Sequence, residues 1–260
     1  VSLSHLSLCV LPCVRRCSCF FHLCFLAALM RLAEAEGRNV EALALPTAAP
    51  PDPAAGAAAP AESRRKFETG TWKIVPALYL LSLSGEEPLA ECRTLVDAGV
   101  LLNLYGTEEE LLRAETFDKY LIISHRWEDP AHPDLDCTKL KELQKELRKR
   151  PEIEGVWMDF PCLPQDKRSG GSHDKTEEEK AFFDNCLQNV NLLYLHGNVL
   201  VFLDKEYNTR FWTQYELFLA LHKATLNGLE TVSEEERDAK CMVVELGAAA
   251  ASGGKFGEAL

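Results

Sequence analysis

From Tyr120 to Leu246 the chain alternates short apolar runs with amphipathic segments. The run YLIIS (120–124) has no charged position and is rich in β-branched residues, the pattern of a buried strand. Residues 135–150 set Leu135, Leu140, Leu143 and Leu147 on one side and charges on the other, which predicts an amphipathic helix. Its Lys139–Arg150 run reads as a solvated face. GVWMDF (155–160) predicts a second strand, and residues 161–176, with Ser169-Gly170-Gly171-Ser172, a long polar loop. Thr176 followed by Glu177–Glu179 is a helix start of capping-box type, leading to Phe182, Phe183, Cys186, Leu187 and Val190 on one face. NVLVFL (198–203) predicts a third strand, residues 210–226 a third helix, and KCMVVEL (240–246) a fourth strand. Such alternation implies an α/β fold with a doubly wound, mostly parallel sheet covered on both faces. Ligands of such sheets meet the carboxyl ends of the strands. Here those ends are Ser124–Asp129, Asp159–Gln165 and the loop Asp204–Arg210.

The pattern also divides the chain. Residues 1–66 are an N-terminal segment, 67–117 a helical lead-in, 118–246 the α/β domain and 247–260 a tail. The lead-in is apolar over 72–83 and carries helical spacing over 88–115, including Leu89, Cys92, Leu95, Leu111 and Leu112, so short helices packed on the domain are expected. The Ala/Pro tract at 41–62 has few large side chains to bury, and a flexible linker is expected there. Arg15-Arg16 before the apolar run Cys17–Met30 has the form of a secretory signal, and the run is short for a membrane span. Three readings of residues 1–29 stay open: sequence ahead of a true start at Met30, a signal or anchor, and a cysteine-rich structure. Membrane contact is expected only if residues 1–30 are a genuine anchor.

Composition narrows the function. A net charge of −12, with basic residues lying mostly beside acids, argues against a nucleic-acid partner. Of ten cysteines, five crowd the first thirty residues; Cys92, Cys137, Cys162, Cys186 and Cys241 stand singly, without metal-ligand spacing. They read as reduced, mostly buried thiols, and a cytoplasmic location is expected. No metal site and no bound cofactor are expected. The glycine-rich phosphate-binding patterns and the nucleophile elbow are missing from the sequence.

The candidate chemistry lies at strand ends. His125, Arg126, Trp127, Glu128 and Asp129 crowd one turn after the first strand, which suits an anionic or ribose-bearing ligand as well as it suits a polar loop closed by an ion pair. Asp159 ends the second strand beside two prolines, as a ligand contact or as an acid capping local amides. The helix RFWTQYELFLALHKA is apolar on nearly every side and is expected to be buried, so Glu216 should lie among buried neighbours. A buried carboxylate must be paired, protonated or used. The structural alternative is an ion pair with Arg126 or Arg210.

LIISHRWED resembles the first strand and following loop of Toll/interleukin-receptor (TIR) domains, and EYNTRFWTQYELFLAL resembles the TIR helix carrying Trp and, four positions later, Glu. GVWMDFPCLPQ is similar to the second strand of the heterokaryon-incompatibility (HET) family, whose Trp-x-Asp…Gln signature is matched by Trp157, Asp159 and Gln165. The resemblance covers about half the chain, from three motifs in the expected order. It departs at Trp127, where plant-type TIR domains commonly have Gly, and after the fourth strand. There the usual last strand and helix are missing or replaced by the N-terminal helices. The resemblance implies a flavodoxin-type strand order and two functions. One is cleavage of the nicotinamide–ribose bond of NAD as substrate, with Glu216 as the catalytic carboxylate. Ser124, His125, Arg126, Trp127, Asp159 and Trp212 would line the ligand site, and the loop 161–176 would serve as a mobile cover or an assembly contact. The other is a non-enzymatic signalling or defence module that self-associates or binds another TIR/HET-like domain.

Overall fold

A computed structural model describes residues 71–105, 117–225 and 228–247. The N-terminal segment with its linker, Leu111, Leu112 and the tail beyond Gly247 lie outside the described residues. The fold is α/β. In chain order it comprises β1 (Thr71–Pro76), α1 (Ala77–Ser82), α2 (Cys92–Asp97), β2 (Leu102–Tyr105), β3 (Tyr120–His125), α3 (Thr138–Lys149), β4 (Gly155–Trp157), α4 (Asp159–Cys162), α5 (Glu177–His196), β5 (Asn198–Leu203), α6 (Phe211–Ala220), β6 (His222–Thr225), β7 (Gly228–Thr231), α7 (Glu234–Lys240) and β8 (Cys241–Glu245). Six strands form one sheet in the order β2-β1-β4-β3-β5-β8, and β6 and β7 form a separate antiparallel pair.

The parallel part is β4-β3-β5-β8, which are the four strands expected from the sequence. Every residue of β3 is buried, and so are Val199 to Leu203 of β5, because uninterrupted apolar runs suit a strand covered on both faces. The chain steps from β3 outward to β4, then crosses back over β3 to β5. Right-handed crossovers therefore put α3 and α5 on opposite faces. The winding reverses between β3 and β5, so their carboxyl ends form the switch point of the sheet.

The lead-in differs from expectation. Its residues 71–76 and 102–105 are strands, not helices, paired antiparallel to each other, and β1 pairs antiparallel with β4. Trp72, Ile74 and Val75 are buried, so an apolar segment that reads as helical was drawn into the sheet by the edge of β4. The added strands stand at the edge opposite β8, so they do not replace a strand beyond it. The short helices α1 and α2 are present as expected.

Other boundaries moved for local reasons. The second strand stops at Trp157, and Asp159 opens the helical turn α4 rather than ending a strand. The third helix stops at Ala220, and residues 222–225 enter a hairpin. The acidic stretch Ser233–Asp238 contributes to α7, with a capping box between Ser233 and Glu236. The capping box at Thr176 and Glu179 forms as expected. Cys92, Cys137, Cys162 and Cys186 are free, buried thiols, while Cys241 is half-buried.

Candidate functional site

β3 delivers Ser124 and His125 to this switch point on opposite sides of the strand, since successive side chains alternate. The Ser124 hydroxyl donates to Oε2 of Glu216 at 2.6 Å. It also lies 2.6 Å from the hydroxyl of Tyr207, which donates to the Thr213 carbonyl at 3.1 Å. Tyr207 belongs to a 3-10 turn, Tyr207–Thr209, between β5 and α6. Thr213, in the first turn of α6, returns a hydrogen bond from its own hydroxyl to the Tyr207 carbonyl and another to that of Arg210 at 3.0 Å. The turn and the helix are thereby clamped together. Ser124, Tyr207 and Thr213 are all buried, and Glu216 is half-buried.

Burial pushes the Glu216 carboxyl up to about 8. The neighbouring charge of Asp159 adds to the rise, while hydrogen bonds from Ser124 and Tyr194 oppose it. Tyr194 and Tyr207 are raised as well, chiefly by burial and then by the charge of Glu216. Three hydroxyl-bearing side chains thus surround one carboxyl whose protonation changes near neutrality, a group able to hold or give up a proton there.

A second cluster stands beside the first. Asp159 accepts from His125 Nε2 at 2.9 Å and from the Trp127 indole at 2.7 Å, and its Oδ1 also receives the Phe160 amide at 2.7 Å. Burial drives its carboxyl up, but His125, Trp127 and the amide together outweigh that and leave it below its usual value. Among the described residues, His125 Nδ1 is one of three buried side-chain polar atoms without a hydrogen-bond partner. Trp127 packs edge-on against Phe160, with ring centres 5.5 Å apart.

Arg126 goes elsewhere. Its Nε and Nη2 reach Asp204 Oδ2 at 2.8 and 2.7 Å, and Nη1 donates to the Trp127 carbonyl at 3.1 Å. The hydrogen bond to Asp204 raises its pKa despite burial. The Arg126–Glu216 ion pair considered as an alternative is therefore replaced by Arg126–Asp204 and Ser124–Glu216. Glu216 is neither an arginine's partner nor a free carboxylate in an open cleft.

Trp212 is one turn before Glu216 but 43% exposed, so the expectation of an α6 buried all round is overturned. Its inner side buries Thr213, Leu217, Leu219 and Ala220, while Phe211, Trp212, Tyr215 and Phe218 make a partly exposed aromatic ledge. Of the candidate residues, Ser124 and Glu216 meet directly, and His125, Trp127 and Asp159 form the adjoining cluster. Arg126 and Trp212 flank them.

The surrounding loops are pinned. Asp134 caps α3 through the amides of Lys139 and Leu140. Lys139, expected in solvent, is buried and donates to Glu128, the Arg126 carbonyl and the Pro133 carbonyl. Arg93 of α2 binds Glu179 of α5 at 2.6 and 3.0 Å and the Gln165 carbonyl at 2.7 Å. Asp166 receives the amide and ammonium of Lys175. At Gly171 a Cβ would stand 2.0 Å from the Gln165 oxygen, which shows how tightly this loop is wound. Residues 161–176 are thus joined to α2 at Gln165 and closed on themselves between Asp166 and Lys175.

A small, mainly apolar pocket lined by Leu89, His132, Lys139, Leu140, Phe160 and Phe202 lies off the Glu216 cluster and has room for about one water. No described group of three or more His, Cys, Asp or Glu side chains is placed to hold a metal ion, and no described helix is long and apolar enough to cross a membrane. Tyr207, Thr213 and Asp204 were not singled out by sequence; the only signal was their place in or just after the loop following the third strand.

Comparison of the chain with protein-family models, with curated proteins and with solved structures gave no match.

Proposed function

We propose that the chain is a TIR/HET-like signalling or defence module that acts by self-association in the cytoplasm and cleaves NAD at Glu216. The observation that carries the chemistry is the Glu216 carboxyl beside the strand reversal, held by hydroxyls and not neutralised by Arg126. Support for the family comes from the motifs SHRWED and WTQYE and from the parallel strands, which in sequence order lie 2-1-3-4 across the sheet.

In the proposed reaction the bond between ribose C1′ and the nicotinamide nitrogen breaks, and its electron pair leaves with neutral nicotinamide. Positive charge then develops on the ribose, and a carboxylate close by stabilises it. Water adds to C1′ and releases a proton. Glu216 must be ionised for this role, and an approaching pyridinium cation favours its ionised form. The test is nicotinamide release by the concentrated full chain beside Glu216→Ala. A loss of at least about 100-fold in a folded variant is expected. A folded, assembled wild type that releases no nicotinamide would sink this chemistry.

A second reading, a non-catalytic interaction module, is favoured by the engagement of Arg126 with Asp204 and by the exposed Trp212 and Phe218. Under it Glu216 is structural and the α6 ledge meets the partner.

A further inference from the structure

Tyr207 is fully buried, yet its hydroxyl is placed for more than packing. It lies 2.6 Å from Ser124 Oγ and 3.1 Å from the Thr213 carbonyl, and Ser124 lies 2.6 Å from Glu216 Oε2. Each hydroxyl has one proton and can both donate and accept. With Glu216 ionised, Tyr207 donates to Ser124 and Ser124 donates to the carboxylate. With Glu216 protonated, the direction reverses: Glu216 donates to Ser124, Ser124 to Tyr207, and Tyr207 to the Thr213 carbonyl. No proton in the chain is stranded in either state. The carbonyl released in the ionised state belongs to a residue inside α6, where the helical bond from Leu217 remains available to it.

We propose that Tyr207 is a positioning residue for Glu216, acting through Ser124 as the far end of a reversible hydrogen-bond chain that serves the carboxyl in both protonation states. The other groups facing Glu216 are Asp159 of α4, whose charge opposes ionisation, and Tyr194 of α5, which favours it. Tyr194 also donates to the Ile123 carbonyl at 3.1 Å, so it is tied to the main chain of β3. Tyr207 differs in reaching Glu216 through Ser124. The Tyr207 main chain is fixed by the same threonine, which keeps the chain aligned without help from ligand.

This inference shares with the proposed function only the importance of Glu216, and its test needs no NAD. The Glu216 side-chain carbon would be followed by NMR across pH in the full chain, in wild type and in Tyr207→Phe. In Tyr207→Phe a neutral Glu216 can still accept from Ser124, whereas the ionised form loses the charge-assisted donor behind Ser124, so the titration midpoint should rise by about one pH unit. An unchanged midpoint in a folded Tyr207→Phe would overturn the proposal. Should that variant not fold, 3-fluorotyrosine at position 207 keeps the shape and donates more strongly. The midpoint should then fall, and a midpoint that stays put or rises would equally overturn it. Absence of nicotinamide release with a shifted midpoint would refute NAD cleavage and leave this inference standing.

Discussion

The Ser124 hydroxyl joins the end of β3 to a helix 92 positions later, and what it joins is a carboxyl raised to about 8. Two outcomes follow at this scale. Because the proposed reaction uses the ionised form, kcat/KM for NAD should rise with pH through about 8 and level above it; a flat profile over that range would remove Glu216 from the role. The second concerns stability. Between the ordinary value of 4.5 and about 8, the folded chain holds a proton on Glu216 that the unfolded chain has lost. Stability from this group is therefore complete below 4.5 and declines as pH rises through about 8. Glu216→Gln should match wild type at low pH and exceed it increasingly towards high pH, by on the order of a few kcal/mol at most. Urea unfolding at several pH values checks this, and a constant difference would contradict it. The sequence marked Glu216 as a buried acid through the apolar residues around it in WTQYELFLAL. It could not tell which partner the acid would take, since Arg126 and Ser124 are two positions apart on the same strand end.

Among elements, α2 is tied to the N-terminus of α5 through a buried ion pair. Arg93 and Glu179 are both buried and meet through two hydrogen bonds, while the same guanidinium holds the Gln165 carbonyl. Arg93→Ala leaves the Glu179 carboxylate buried without its cation and should cost about 3–5 kcal/mol. Hydrogen exchange at residues 163–175 should rise in the variant as the loop loses its anchor; unchanged exchange would mean that Asp166 and Lys175 hold the loop unaided. The α5 start was legible because a capping box is written within four consecutive positions, Thr176 to Glu179. The burial of Arg93 was not, because its partner is 86 positions away. The same holds for the stop of α6: the helical residues continue smoothly into 221–226, and pairing with residues 228–231 diverts them.

For the whole molecule, the net charge of −12 makes copies repel one another. Added salt screens that repulsion, with a Debye length of about 10 Å at 0.1 M, so the self-association proposed here should strengthen as salt rises. The exposed Trp212 and Phe218 are the expected apolar contacts of that assembly. Trp212→Ser removes edge-on packing against Phe211 and Tyr215 and should cost about 1–2 kcal/mol while weakening association. Sedimentation at low and high salt tests both; a chain that stays monomeric when concentrated in high salt contradicts assembly.

The four parallel strands, the helices α3 and α5, most of α6 and the free, mostly buried thiols of the body followed from sequence alone, because apolar runs, caps and isolated cysteines are local patterns that any compact fold must satisfy. The order of the sheet's edges, the recruitment of β1 and β2 as strands, the burial of Lys139 and the identity of the Glu216 partner were decided only by tertiary structure. Each depends on which distant backbone edge or polar atom arrives first within hydrogen-bonding reach, and a buried polar group takes the partner that geometry supplies. Tyr207 shows the difference most clearly. It is one aromatic residue in a polar loop until the fold brings its hydroxyl to Ser124, 83 positions earlier in the chain.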